Sequence, residues 1–209
     1  MVYWDNTHTT GKVDDMVGLA ELWLPVLVSS VFVFLASAVI WIILPYHKAD
    51  IQTLPNEEEF DAAIGPLNIR PGFYMYPGCH GKDIKSEAFQ TRWKAGPWGT
   101  INVLGSAPSY GMNLVKTFLS YLVISAIVGY LAGIGLMPGA EYMDVFRVVG
   151  TAAFLAYCMG SLANDFFMGK PTRFIITCLI DGVVFAMVTA GVFAWLWPEG
   201  TAGSLPGLP

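Results

Sequence analysis

The sequence predicts an all-α polytopic membrane protein, with four transmembrane helices and a small α+β insert between the first and second. Three observations lead there. Of the 209 residues, 55% are hydrophobic and only 13% charged, whereas an ordinary soluble domain is about 45–50% apolar and about 25% charged. Four segments, 25–44, 117–136, 143–163 and 174–197, are predominantly apolar, and each reaches the roughly 20 residues that a hydrocarbon core requires. They lack a strand's period of two, and lipid admits only helices or closed barrels, so they read as helices. The third observation is the placement of the 11 Lys and Arg. Lys48, Arg70, Lys82, Lys85, Arg92, Lys94, Lys116, Lys170 and Arg173 lie in the connections 45–116 and 164–173. The tails and the 137–142 turn hold only Lys12, with Arg147 just inside the third span. The positive-inside rule then places both termini outside and the insert in the cytosol.

Taken in order, residues 1–24 form an outer tail. Over 13–23, Val13, Met16, Val17 and Ala20, with Leu24 beyond, fall near one helical face, predicting a short interfacial helix. The first 21 residues hold one Lys and several acids, which is not the basic n-region of a signal peptide. Pro25 suits the first turn of the first span. Trp23, Tyr130, Tyr142, Trp195 and Trp197 would form an outer aromatic belt, with Trp41, Tyr46 and Tyr110 an inner one. Residues 198–209 are an outer tail.

The 45–116 insert reads as helix, strand, helix, strand. NEEEFDAAI (56–64) carries a capping-box spacing, Asn56 with Glu59. GFYMY (72–76) reads as a strand between Pro71 and Pro77. In KDIKSEAFQTRWK (82–94), Ile84, Ala88, Phe89 and Trp93 share one helical side. GPWG (96–99) is a turn and TINVL (100–104) a second strand. A module this small buries little surface alone, so it is expected to lean on the membrane, a partner or a copy of itself.

MYPGCH brings Met75, Cys79 and His80 together, and His47 ends the first span nearby. Cys79, His80 and His47 are a partial ligand set for zinc or copper. Adjacent Cys-His is poor spacing for one tetrahedral ion, and PGCHGK also reads as a plain Gly/Pro turn. The cysteines (Cys79, Cys158, Cys178) form no CxxC pair. No HExxH, GxSxG or P-loop is present, so no catalytic residue is assigned. No basic patch with interleaved aromatics suggests nucleic acid.

Asp181 stands inside the last apolar run, ~10 Å deep at 1.5 Å per residue. A carboxylate there should face protein or water. Ser37, Tyr121 and Tyr157 lie at the same depth on the other spans and can donate hydroxyls to it, Tyr157 foremost. Lys116, Lys170 and Arg173 can reach inward on their long stems. A relay would show several acids or histidines at successive depths, and the sequence offers one acid deep in a span, so a polar clamp between helices is the favoured reading. Arg147 sits near the opposite face, with Asp144 (i, i+3) or Glu141 as its partner.

Small residues recur at helix-packing spacing: Gly129 and Gly133 on the second span, Ala152, Ala156 and Gly160 on the third, and Gly182, Ala186, Ala190 and Ala194 on the fourth. The third and fourth spans are therefore expected to form a tight antiparallel hairpin through NDFFMGKPTR (164–173), where Gly169 ends one helix and Pro171 starts the next.

The region AYCMGSLANDFFMGKPTRFIITCLIDGVVFAMVTAGVFAWLW resembles the corresponding part of an uncharacterised bacterial four-span family. Its members share a short Phe-x-Gly-Lys/Arg-Pro loop and a last span ending near Trp. WIILPYHK is loosely similar too, while the long insert departs from that family's compact loop. The resemblance implies a bacterial inner or intracytoplasmic membrane and brings no activity.

These readings converge on a non-catalytic accessory subunit of a membrane complex, whose partners are other integral membrane subunits or copies of itself. Bound lipids are expected and no cofactor is; contact with a pigment or quinone stays open. A homo-oligomeric proton- or ion-coupled carrier using Asp181 is the alternative, and a metal-binding sensor or enzyme at Cys79 and His80 comes third.

Overall fold

The computed structural model describes residues 16–78 and 81–200. Four of its helices are long and apolar enough to cross a membrane: Trp23–Ile43, Tyr110–Gly135, Tyr142–Phe167 and Thr172–Trp195. The first comprises α1 (Trp23–Ala38) and a π-helical turn, Val39–Ile43. In the insert, α2 (Glu57–Ile64) and β1 (Gly72–Tyr76) precede α3 (Glu87–Ala95) and β2 (Gly99–Val103). The second long helix is α4 (Tyr110–Gly135). It starts seven residues before the apolar run, because the Ser109 hydroxyl caps the Met112 amide. The third comprises α5 (Tyr142–Phe154), a π-helical segment at Leu155–Met159, and α6 (Leu162–Phe167). The fourth is α7 (Thr172–Trp195).

α7 is the hub. It packs most extensively on α5 and also on α1, while α1 packs on α4. The α6–α7 turn forms as the glycine and proline dictate: Gly169 takes φ +69°, and Pro171 is the N-cap residue of α7. The small residues on α7 serve as expected, for Gly182, Ala186, Ala190 and Ala194 are all buried. A Cβ on Gly182 would stand 2.7 Å from Cys158 Sγ and 3.0 Å from the Tyr157 carbonyl. Of the stripe expected on the third helix, Ala152 is half-buried against the core, whereas Ala156 and Gly160 are exposed. The fully buried residues there are Val145, Val149 and Ala153. Four-residue spacing defines a helical stripe but not its azimuth, and a stripe built on the branched Val145 and Val149 carries no small-residue signature.

Gly129 takes Phe193 of α7 and Val26 of α1 against its backbone. Gly133 instead admits the chain before α1, since a Cβ there would collide with the Val17 carbonyl oxygen. Val17 and Leu22 are buried in the same cluster as Val128, Ala132 and Phe193. The interfacial helix expected over 13–23 falls partly outside the described residues, and Leu19–Leu22 form a turn leading into Trp23. Ser29 of α1 and Ser125 of α4 share a buried hydrogen bond where those helices meet.

β1 and β2 pair antiparallel, Gly72 opposite Val103 and Tyr76 opposite Gly99. The second insert helix is shorter than 82–94, because Ser86 caps α3 by accepting from the Phe89 amide and Gly81–Lys85 becomes a 3-10 turn. The Asn56–Glu59 capping box does not form; the Asn56 amide donates to the Glu59 carboxylate instead. Trp197 leaves the aromatic belt: it is buried, and its indole N–H donates to the Met137 carbonyl. Trp23, Tyr110, Tyr130, Tyr142 and Trp195 stay exposed.

Candidate functional site

The site is assembled where the first long helix ends. Leu44, held extended ahead of Pro45, stops the π-helical turn, and Pro45 opens a 3-10 turn, Pro45–Ala49. That reversal turns Tyr46 and His47 back toward α7. On α7, Arg173, Thr177 and Asp181 recur every four residues and so form one polar stripe.

The two elements interlock around Asp181, which is only 4% exposed. The Tyr46 hydroxyl donates to Asp181 Oδ1. His47 Nε2 lies 3.0 Å from Asp181 Oδ2, and His47 Nδ1 lies 2.9 Å from Asp50 Oδ2. Thr177 donates to the same Asp50 oxygen at 2.6 Å. Arg173 Nε donates to Asp50 Oδ1 at 2.9 Å, and its Nη2 to the Tyr46 carbonyl at 2.8 Å. The Trp41 indole stacks on the His47 ring, centroids 4.0 Å apart and planes 7° from parallel.

The His47 ring bridges the two carboxylates, one through each nitrogen, and the Arg173 guanidinium meets the Asp50 carboxylate, so each acid of the cluster faces hydrogen-bonding partners, as burial requires. Burial, and then the Asp181 carboxylate, hold the Tyr46 hydroxyl above the usual tyrosine range, so it keeps its proton and donates it. The Thr177 hydroxyl does most to hold the Asp50 carboxyl below its ordinary value, with His47 and Arg173 acting the same way and burial opposing them.

The expected hydroxyl partners of Asp181 are displaced. Tyr121 and Tyr157 pack edge-on with Phe185, centroids 5.6 to 6.1 Å apart, beside the buried Val33 and Ile40. Ser37 donates to the Phe34 carbonyl within its own helix. Equal depth along a helix does not bring side chains together when they point in other directions. The inward-reaching cation is Arg173, whereas Lys170 pairs with Asp165 at 2.7 Å. Asp165 is a second buried acid, also bonded by Ser161 at 2.8 Å. Arg147 lies 3.9 Å from Asp144, with both side chains mostly exposed; such a pair contributes little.

The metal reading loses His47, whose two ring nitrogens both face carboxylates. Cys79 and His80 lie outside the described residues. Among the described residues, no group of three or more His, Cys, Asp or Glu is arranged to hold a metal. Sequence reasoning missed Asp50 and Thr177 and took Tyr46 for a belt residue. The available signals were the i, i+4 run Arg173, Thr177, Asp181 and the close spacing of His47 and Asp50 just past an apolar run.

No protein-family model matches the chain, no curated protein matches it, and no solved structure matches it.

Proposed function

We propose that this chain is a non-catalytic structural subunit of a larger membrane assembly, anchored by four spans and locked at one end by the Asp181 cluster. The observation that carries the proposal is the complete pairing of the buried ionic groups: both Asp181 oxygens, both His47 nitrogens and both Asp50 oxygens have partners. A clamp needs that closure, whereas a catalytic group needs an atom free to meet a substrate. The lipid-facing sides of the long helices supply broad apolar surface for neighbouring membrane chains, with Phe32, Leu35, Ile127 and Met187 among the exposed side chains. The proposed setting is a bacterial inner or intracytoplasmic membrane, with the termini outside and the insert cytosolic, following the nine-to-two division of Lys and Arg.

One observation favours a second reading, proton-coupled transport. His47 joins Asp181 to Asp50 in an unbroken carboxylate–imidazole–carboxylate chain, a chemistry that membrane proton carriers use. Native mass determination after mild-detergent extraction, with identification of copurifying proteins, separates the two. A stable assembly with unrelated integral membrane chains is expected. A lone homo-oligomer whose proton flux disappears in Asp181→Asn would replace the structural reading with the carrier.

A further inference from the structure

The insert as a whole (45–116) is balanced, with seven Lys and Arg against seven Asp and Glu, but its part beyond α2 stands apart in charge and in surface. Residues 65–109 hold Arg70, Lys82, Lys85, Arg92 and Lys94 against Asp83 and Glu87, a net of +3 (five minus two), in a chain of net −5. All five basic side chains are exposed, and none forms an ion pair among the described residues. The same short elements present large apolar side chains. Phe73, Met75, Ile84 and Trp93 are each 44–59% exposed, and they border an open groove of about 710 Å³. The sheet and α3 make no extensive contact with the long helices, so the bundle does not cover this face.

We infer that this face of the insert is a peripheral membrane-docking surface that lies on the anionic phospholipid headgroups of the leaflet beside it. Charge complementarity names the occupant. Cytoplasmic leaflets are negative and attract basic segments close to a span, and aromatic side chains settle at the headgroup level. Position agrees, because the segment is tied at both ends to helices long enough to cross a membrane, Trp23–Ile43 before it and Tyr110–Gly135 after it. Lys82 and Lys85 flank Ile84, while Arg92 and Lys94 flank Trp93. The apolar side chains would enter the headgroup layer while the cations meet phosphates, the division of labour of interfacial segments.

The inference rests on the membrane-spanning reading, and one preparation tests the two separately. The full chain is reconstituted into nanodiscs of phosphatidylcholine alone, or mixed with phosphatidylglycerol, each with or without brominated acyl chains. Incorporation into discs tests the spanning reading. Bromine quenching of the Trp93 component, taken as the difference between the native chain and Trp93→Phe, tests docking. In anionic discs this component should lose most of its emission; in phosphatidylcholine discs, and in anionic discs at high salt, it should keep it. Combined K82E, K85E, R92E and K94E substitutions should abolish quenching while incorporation and melting temperature are retained. Quenching independent of lipid charge overturns the inference. So does a Trp93 shielded in a concentration-dependent manner by a second copy, or exposed to water in every lipid.

Discussion

Removing the Asp181 carboxylate gives the most direct test of the buried cluster. In Asp181→Ala, the Tyr46 hydroxyl and His47 Nε2 lose their common carboxylate partner. Hydrogen bonds between helices of membrane proteins average about 0.6 kcal/mol and reach about 1.7, while bonds to charged groups in soluble proteins are worth about 1.5–3. Two lost bonds at the upper end of the first range, plus stranded donors, give about 2–4 kcal/mol. At about 2–4 °C per kcal/mol for a chain of this size, the melting temperature should fall by about 4–16 °C. Asp181→Asn should behave differently. A neutral His47 can donate from Nδ1 to Asp50 and accept at Nε2 from the new amide N–H, while Tyr46 donates to the amide oxygen. Asp50 and Arg173 still pair, each polar group keeps a partner, and the expected loss is below about 1 kcal/mol. The assay is thermal unfolding of the purified chain in detergent, followed by circular dichroism. An Ala variant as stable as the native chain would refute the clamp. Equal damage from Asn and Ala would show that the carboxylate's charge, rather than its pairing, is what the fold requires.

Two further predictions concern separate parts of the structure. In α4, Gly133→Ala drives a Cβ into the Val17 carbonyl oxygen and should destabilise by about 1–3 kcal/mol; Gly111→Ala meets nothing within 4 Å and should leave the melting temperature unchanged or raise it. Asp50 should make the fold acid-sensitive: its carboxyl is held below the ordinary value of 3.8, so its contribution is complete above that value and is lost as pH falls through the lower folded value. Melts of the native chain and Asp50→Asn from neutral to strongly acidic pH should therefore converge in acid, and a gap that persists or widens there would contradict the assignment.

The linear pattern of residues determined that four long apolar helices exist, because hydrophobic length is a local property. It also marked the turn at Gly169 and Pro171, the strand Gly72–Tyr76, and Asp181 as an acid needing company, each from neighbours within a few positions. Only the tertiary structure decided which side chains meet. Asp181 and His47 are 134 residues apart and touch because Pro45 turns the chain back over α7. Tyr157 shares Asp181's depth but points elsewhere, since depth follows from counting residues while azimuth is set by how the helices rotate and pack. The same freedom moved the buried stripe of α5 to Val145, Val149 and Ala153, and gave Gly133 to the backbone of Val17 rather than to another helix. Sequence periodicity fixes each helix's own faces, and the direction those faces take is fixed only when the helices close around one another.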